Sequence, residues 1–134
     1  MNHIASPQTG DTAIEQEIKS KGKTAPRVTP ADIEANIVGE VYFTAADGYR
    51  SSPCYDPNGH AHEPLPTPAP LELLTFCVLV LRNGFTVTGE SACASPKNFN
   101  TEIGRKIARA NAVQKIWPLM GYALKQKLRE GGAA

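Results

Sequence analysis

Leu73–Cys93 reads LLTFCVLVLRNGFTVTGESAC, and the fold turns on how this stretch is taken. Leu73–Arg82 is apolar at nearly every position, the pattern of a strand covered on both faces. Asn83-Gly84 follows, a dipeptide suited to a two-residue type I′ turn, whose central positions both take positive φ. Phe85–Cys93 then alternates, with Phe85, Val87 and Gly89 against Thr86 and Thr88. The reading is an antiparallel hairpin. Gly89 inside the second strand marks a bulge or a close backbone approach.

A long helix follows the hairpin. Ser95-Pro96 and Asn98/Asn100 both offer a start, and Glu102 falls in the first turn, where the helix dipole favours an acid. Ile103, Ile107, Ala110, Val113, Trp117, Met120, Leu124 and Leu128 keep helical spacing. Pro118 is expected to kink or break the helix near Trp117, and Gly131-Gly132 ends it.

Upstream, the signals are shorter. Thr12–Lys21 (TAIEQEIKSK) predicts a helix with Ile14 and Ile18 one turn apart and favourable Glu15/Lys19 and Glu17/Lys21 pairs. Thr29-Pro30-Ala31-Asp32 sets an N-cap hydroxyl before a proline at N1 and an acid at N3. It predicts a helix from Pro30 to about Val38, continued to Phe43 as helix or strand. Asp47-Gly48 reads as a turn. Pro53, Pro57, Pro64, Pro66, Pro68 and Pro70 crowd residues 49–71, which forbids a helix or central strand and predicts a long exposed loop. The chain thus divides into a flexible arm with a short helix, 1–28, and one domain, 29–130. The expected class is α+β: an antiparallel hairpin or small sheet packed on a long, kinked C-terminal helix, with short N-terminal helices.

Composition bounds the function. At 134 residues and 14.4 kDa the chain fits a single core. It has no run of eighteen apolar residues, as a conventional membrane-spanning helix requires, and MNHIASPQTGD lacks the pattern of a secretory signal. Three cysteines without a spaced framework fit a reducing compartment. Net charge is +1, unevenly spread: residues 97–134 hold eight Lys and Arg against two Glu, and the rest hold six against eleven Asp and Glu. A basic end on an acidic body points to an anionic partner or a second subunit. Aromatics at 7% and a pI near 7.7 fit a nucleic-acid binder poorly.

Catalytic and metal chemistry find little support. Cys54, His60, His62 and Glu63 share the proline-rich stretch, yet H-x-H supplies two zinc ligands at best, and no metal or cofactor is expected. Cys93 precedes a helix start that could favour a thiolate, but His3, His60 and His62 are all remote in sequence and no base is placed to activate it. The chain therefore reads as a non-enzyme. Ligand binding fares better. Gly89 allows close approach, Ser91 and Asn98 can hydrogen-bond, Phe99 or Trp117 can stack, and Lys97, Arg105 and Arg109 surround a helix N-terminus, a ready anion site. A hairpin on one helix also leaves apolar surface that a chain this short covers by self-association.

Asn83-Gly84-Phe85, Gly89-Glu90-Ser91-Ala92-Cys93, Pro96, Asn98-Phe99, Ile103-Gly104, Ala108, Lys115-x-Trp117 and Gly121-Tyr122 together resemble the gene-product-forty-nine/gene-sixty-six family of small bacteriophage and prophage proteins. The likeness covers roughly residues 73–128, and TPADIEANIVGEVYFTAADG resembles the upstream part of longer members. It implies phage origin and action inside the host cytoplasm, and brings no catalytic residues. Among its polar positions, Ser91, Asn98 and Lys115 are the hardest to explain as core. The expected ligand site is therefore Ser91, Lys97, Asn98, Phe99, Arg105, Arg109 and Lys115. The expected function is a non-catalytic, homo-oligomeric accessory protein that sequesters a small anionic, nucleotide-type signal of host antiviral defence. The alternatives are a protein-interaction inhibitor of a host or defence enzyme, and an accessory nucleic-acid binder.

Overall fold

The computed structural model describes residues 7–52, 54, 55, 61, 62 and 66–132. A three-stranded antiparallel sheet of order β1-β4-β5 is built from β1 (Ile37–Thr44), β4 (Leu74–Leu81) and β5 (Thr86–Ala92). Helix α4 (Thr101–Glu130) lies across one face. Helices α1 (Pro7–Ser20), α2 (Pro30–Asn36) and α3 (Ala45–Ser51) stand around the sheet, and a separate two-stranded ribbon pairs β2 (Cys54–Tyr55) with β3 (Ala61–His62). Short 3₁₀ turns, Ala69–Leu73 and Pro96–Asn98, lead into β4 and towards α4. The class is α+β, as the sequence predicts.

The hairpin is present, with two corrections. Leu81 N–H donates to Phe85 O at 2.8 Å and Gly84 N–H to Leu81 O at 2.8 Å. That is a three-residue loop, and only Gly84 takes positive φ, +90°. A type I′ turn needs positive φ at both positions. Asn83 instead turns its Oδ1 to accept from Phe85 N–H at 2.9 Å, which holds it in an ordinary conformation. β4 is also not covered on both faces. Thr75, Cys77, Leu79 and Leu81 are buried, while Leu74, Phe76, Val78 and Val80 are only half-buried. The inner residues meet Ile33, Val87, Ala108, Ala112, Val113 and Ile116 in one core, where each fully buried Leu or Ile contributes about 1.5–3 kcal/mol.

Local chemistry sets the element ends. Thr29 and Thr44 each head a capping box: Thr29 Oγ1 accepts from Asp32 N–H while Asp32 accepts from Thr29 N–H, and Thr44 and Asp47 do the same. The second box turns Asp47-Gly48, a predicted turn, into the interior of α3. The run after α2 is strand, and it pairs with β4 from Ile37↔Leu81 to Thr44↔Thr75, with a bulge between Ile37 and Gly39. Residues 49–71 are therefore not one loop. They hold the end of α3, the small ribbon and a 3₁₀ turn. The predicted arm is helical from Pro7, and Arg27 clasps Glu15 of α1 through two hydrogen bonds, one of 2.8 Å.

Helix α4 runs unbroken through Pro118, so of the expected kink or break there is no break. The proline is exposed, so water can reach the Gln114 carbonyl that loses its donor.

Candidate ligand-binding site

Gly89 positions α4. A Cβ at this residue would fall 2.2 Å from Ala108 O and 2.3 Å from Ala112 N, so the helix backbone lies directly on the strand. The close approach predicted at Gly89 is real, but α4 fills it and no ligand could. Gly104 repeats the device one edge over, 3.0 Å from Thr75 Oγ1 by the same measure. Asn100 caps the helix by accepting from Ile103 N–H at 3.0 Å, which leaves Asn98 exposed and outside the cap.

Three clefts gather around the first turns of α4. One, of ≈ 470 Å³, lies between the end of β5 and the helix, with Ser91, Cys93, Asn98, Phe99, Ile103 and Ile107 among its walls. A second, of ≈ 490 Å³, is bounded by Phe43, Thr44, Asp47, Phe99, Thr101 and Arg105. The third, of ≈ 460 Å³, joins Tyr42 to Thr101, Glu102, Arg105, Lys106 and Arg109. Phe99 divides the first cleft from the second, and Thr101 and Arg105 are common to the second and third.

The predicted site residues are thus partitioned rather than convergent. Ser91, Asn98 and Phe99 share the first cleft, and Arg105 faces the other two. Lys97 and Lys115 are exposed and line none of the three. Arg109 is a correction. Its Nε donates to Glu40 at 2.6 Å and its Nη2 to Glu34 at 2.8 Å, so it ties α4 to α2 and β1. The Glu34 hydrogen bond, ahead of that to Glu40, pushes its pKa above the usual arginine value. Its charge is already matched and is not available to an anion. Trp117, the other predicted stacker, packs against the core and lines a small cleft of ≈ 220 Å³ with Ile14 and Ile18 of α1.

Arg105 differs from Arg109. Its guanidinium lies 5.4 Å over the Tyr42 ring, is exposed, and among the described residues has no carboxylate at ion-pair distance. Lys106 beside it pairs with Glu102 at 3.4 Å. Tyr42 donates to Glu40 at 3.2 Å, and burial, followed by the charges of Cys77 and Glu40, pushes its hydroxyl well above the usual range. Tyr42, Phe43 and Thr101 were not among the predicted residues. Strand alternation through Glu40 and Tyr42 is the signal that would have placed Tyr42 on the helix side.

Cys93 Sγ donates to Ser95 O at 3.2 Å, and Cys77 is buried, which pushes its thiol pKa up. Among the described residues no three His, Cys, Asp or Glu come together as a metal site; the side chains of Cys54, His60, His62 and Glu63 lie outside the described set. No described helix is long and apolar enough to cross a membrane.

No curated protein and no solved structure matches the chain. A family model described as "Phage protein (N4 Gp49/phage Sf6 gene 66) family" does match, over residues 28–128, from the approach to α2 almost to the end of α4. The chain belongs to that phage protein family.

Proposed function

We propose that this phage protein is a non-catalytic binding protein that takes a small anionic ligand of nucleotide type at the Arg105 clefts. In this reading it withdraws a nucleotide signal of host antiviral defence in the host cytoplasm. The observation that carries it is Arg105, an exposed guanidinium shared by two clefts; among the described residues no carboxylate lies within ion-pair distance of it, and Asp47 on the wall of one cleft feels its charge from further off. A phosphate takes guanidinium donors bidentately, and the Thr101 hydroxyl stands on the same helix turn. Phe99 and Tyr42 supply rings for a base. Lys125, Lys127 and Arg129 lie at the far end of α4, so the basic charge of the C-terminal segment does not converge on this site.

A thermal-shift screen of the full chain against cyclic and linear nucleotides tests the reading. A hit is expected to lose roughly ten- to a hundred-fold in affinity in Arg105→Ala, the value of a charge-assisted hydrogen bond of about 1.5–3 kcal/mol. The ligand-free melting temperature should barely move, because the exposed side chain touches the Tyr42 ring and acts on Asp47 only from a distance. Equal affinity of wild type and Arg105→Ala, or no nucleotide hit, would overturn it.

The reading includes self-association. On the sheet face away from α4, Val41 is 51% and Phe43 37% exposed beside half-buried Phe76, Val78 and Val80. Phe43 and Phe76 stack there at 5.5 Å. The same face supports the second reading, an inhibitor that docks on a host or defence enzyme, since exposed apolar patches of this kind mark interaction sites. An accessory nucleic-acid role gains less, with Arg109 and Lys106 already paired to carboxylates.

A further inference from the structure

We propose that the ligand of the Arg105 clefts is a guanine nucleotide, its base edge on Asp47 in the second cleft and its phosphates on Arg105 and Lys106 in the third. This deepens the nucleotide reading above and rests on it. The two clefts share Thr101 and Arg105 but differ in charge. Arg105, Lys106 and Arg109 wall the third, with Glu102. Arg109 is matched by Glu34 and Glu40, whereas Lys106 meets Glu102 in an exposed i,i+4 pair at 3.4 Å. Exposed pairs of this kind contribute little, so Lys106 can turn to a phosphate beside Arg105. The phosphate end of the ligand belongs there.

The second cleft carries carboxylates instead, Asp47 and Glu72, beside Phe99. A carboxylate repels a phosphate and attracts the N–H donors of a base. Arg50 of α3 donates to Glu72, which matches that charge. Asp47 is placed differently. Its Oδ2 accepts from Thr44 N–H at 2.9 Å. Its Oδ1 lies 3.8 Å from Arg50 Nη1, beyond hydrogen-bond length, and the side chain is 57% exposed. An ionised carboxylate has about four lone-pair sites, so capping α3 does not exhaust it. The Thr44 hydrogen bonds hold this carboxyl below the usual carboxylate range, helped by the charges of Arg50 and Arg105, so it is an acceptor at neutral pH. Guanine sets two donors side by side, N1–H and the N2 amino group, which one carboxylate takes together. Adenine turns an N1 lone pair to the same group, and uracil offers one N–H between two carbonyl oxygens. A site that hydrogen-bonds a substrate N–H rejects the analogue lacking it.

Titration calorimetry of the full chain with guanosine, inosine and adenosine 5′-diphosphates tests this. The guanosine form is expected to bind at least about tenfold tighter than the adenosine form. The inosine form, which keeps N1–H and lacks the N2 amino group, should fall between them. Asp47→Asn should erase the preference. Its amide oxygen can still accept from Thr44 N–H, and an unchanged melting temperature shows that the fold is kept. Lys106→Ala should weaken all three diphosphates alike and leave their order. Equal affinities in the wild type, or a guanine preference that survives Asp47→Asn, would overturn the guanine assignment and leave the nucleotide reading standing. Unchanged binding in Lys106→Ala would overturn the phosphate placement. If none of the three binds, the guanine assignment falls, and the nucleotide reading falls with it only when the wider nucleotide screen is empty too.

Discussion

Gly89 is the residue whose replacement has the most determined outcome. The atoms a methyl would meet are backbone atoms of α4, Ala108 O and Ala112 N, and neither can rotate away. Gly89→Ala must therefore lift the helix from the strand, at a cost of about 1–3 kcal/mol or more for overpacking a core. Chemical denaturation measures it, and a change below about 0.5 kcal/mol, the range of an ordinary surface substitution, would contradict this packing. The local sequence flags Gly89 as special, but it does not say whether ligand or helix comes close. Arg109 presents the same ambiguity: its side chain meets Glu40, 69 residues earlier in the chain, and that meeting decides between clamp and anion site.

Among the elements, α4 carries one residue that helix interiors disfavour. Pro118 removes one backbone donor from the middle of a thirty-residue helix, and neither the core nor a described neighbour needs a proline at that exposed position. Pro118→Ala restores the hydrogen bond to the Gln114 carbonyl and adds the best helix former, so stability should rise by about 1–3 kcal/mol. Thermal unfolding followed by circular dichroism reads this directly, and a lower melting temperature would show that the proline is required by packing. The helix itself is legible from its apolar period. Its continuity past Pro118 is not, because the propensity penalty is outweighed by residues packed on both sides, Ile116 and Met120.

At the scale of the whole molecule, two connections are open to measurement. Helix α1 is held to the body through Arg27, whose hydrogen bonds lower the pKa of Glu15 below the ordinary carboxylate value. A depressed carboxylate stabilises the folded state above its unfolded pKa, near ~4.3, and that contribution is lost as pH falls through the folded value. On acidification below about pH 4, α1 amides should therefore lose hydrogen-exchange protection before those of β4, and Glu15→Gln should remove this pH dependence. Simultaneous loss in both elements would show that the clasp is not what holds α1. The uncovered sheet face gives the second measurement. Light scattering at micromolar concentration is expected to show a homo-oligomer, and Val41→Asp to shift it towards the 14.4 kDa chain; a wild-type monomer would refute self-association through this face.

The α+β class, the hairpin, the cap at Thr29 and the long terminal helix are all legible in the residues alone. Each of these follows from interactions among residues a few positions apart: alternation, turn chemistry, capping hydroxyls and a repeating apolar stripe. The sequence also carried the family, through motifs in that same C-terminal half. The folded chain was needed to see which face of α4 lies on Gly89, that Arg109 belongs to Glu34 and Glu40, and that Phe99 separates Ser91 and Asn98 from Arg105. The expected single site became three clefts for that reason. A side chain's partner across the fold depends on register and helix rotation, which are set by packing the entire core at once. No local pattern around Arg105 or Arg109 distinguishes the exposed guanidinium from the matched one.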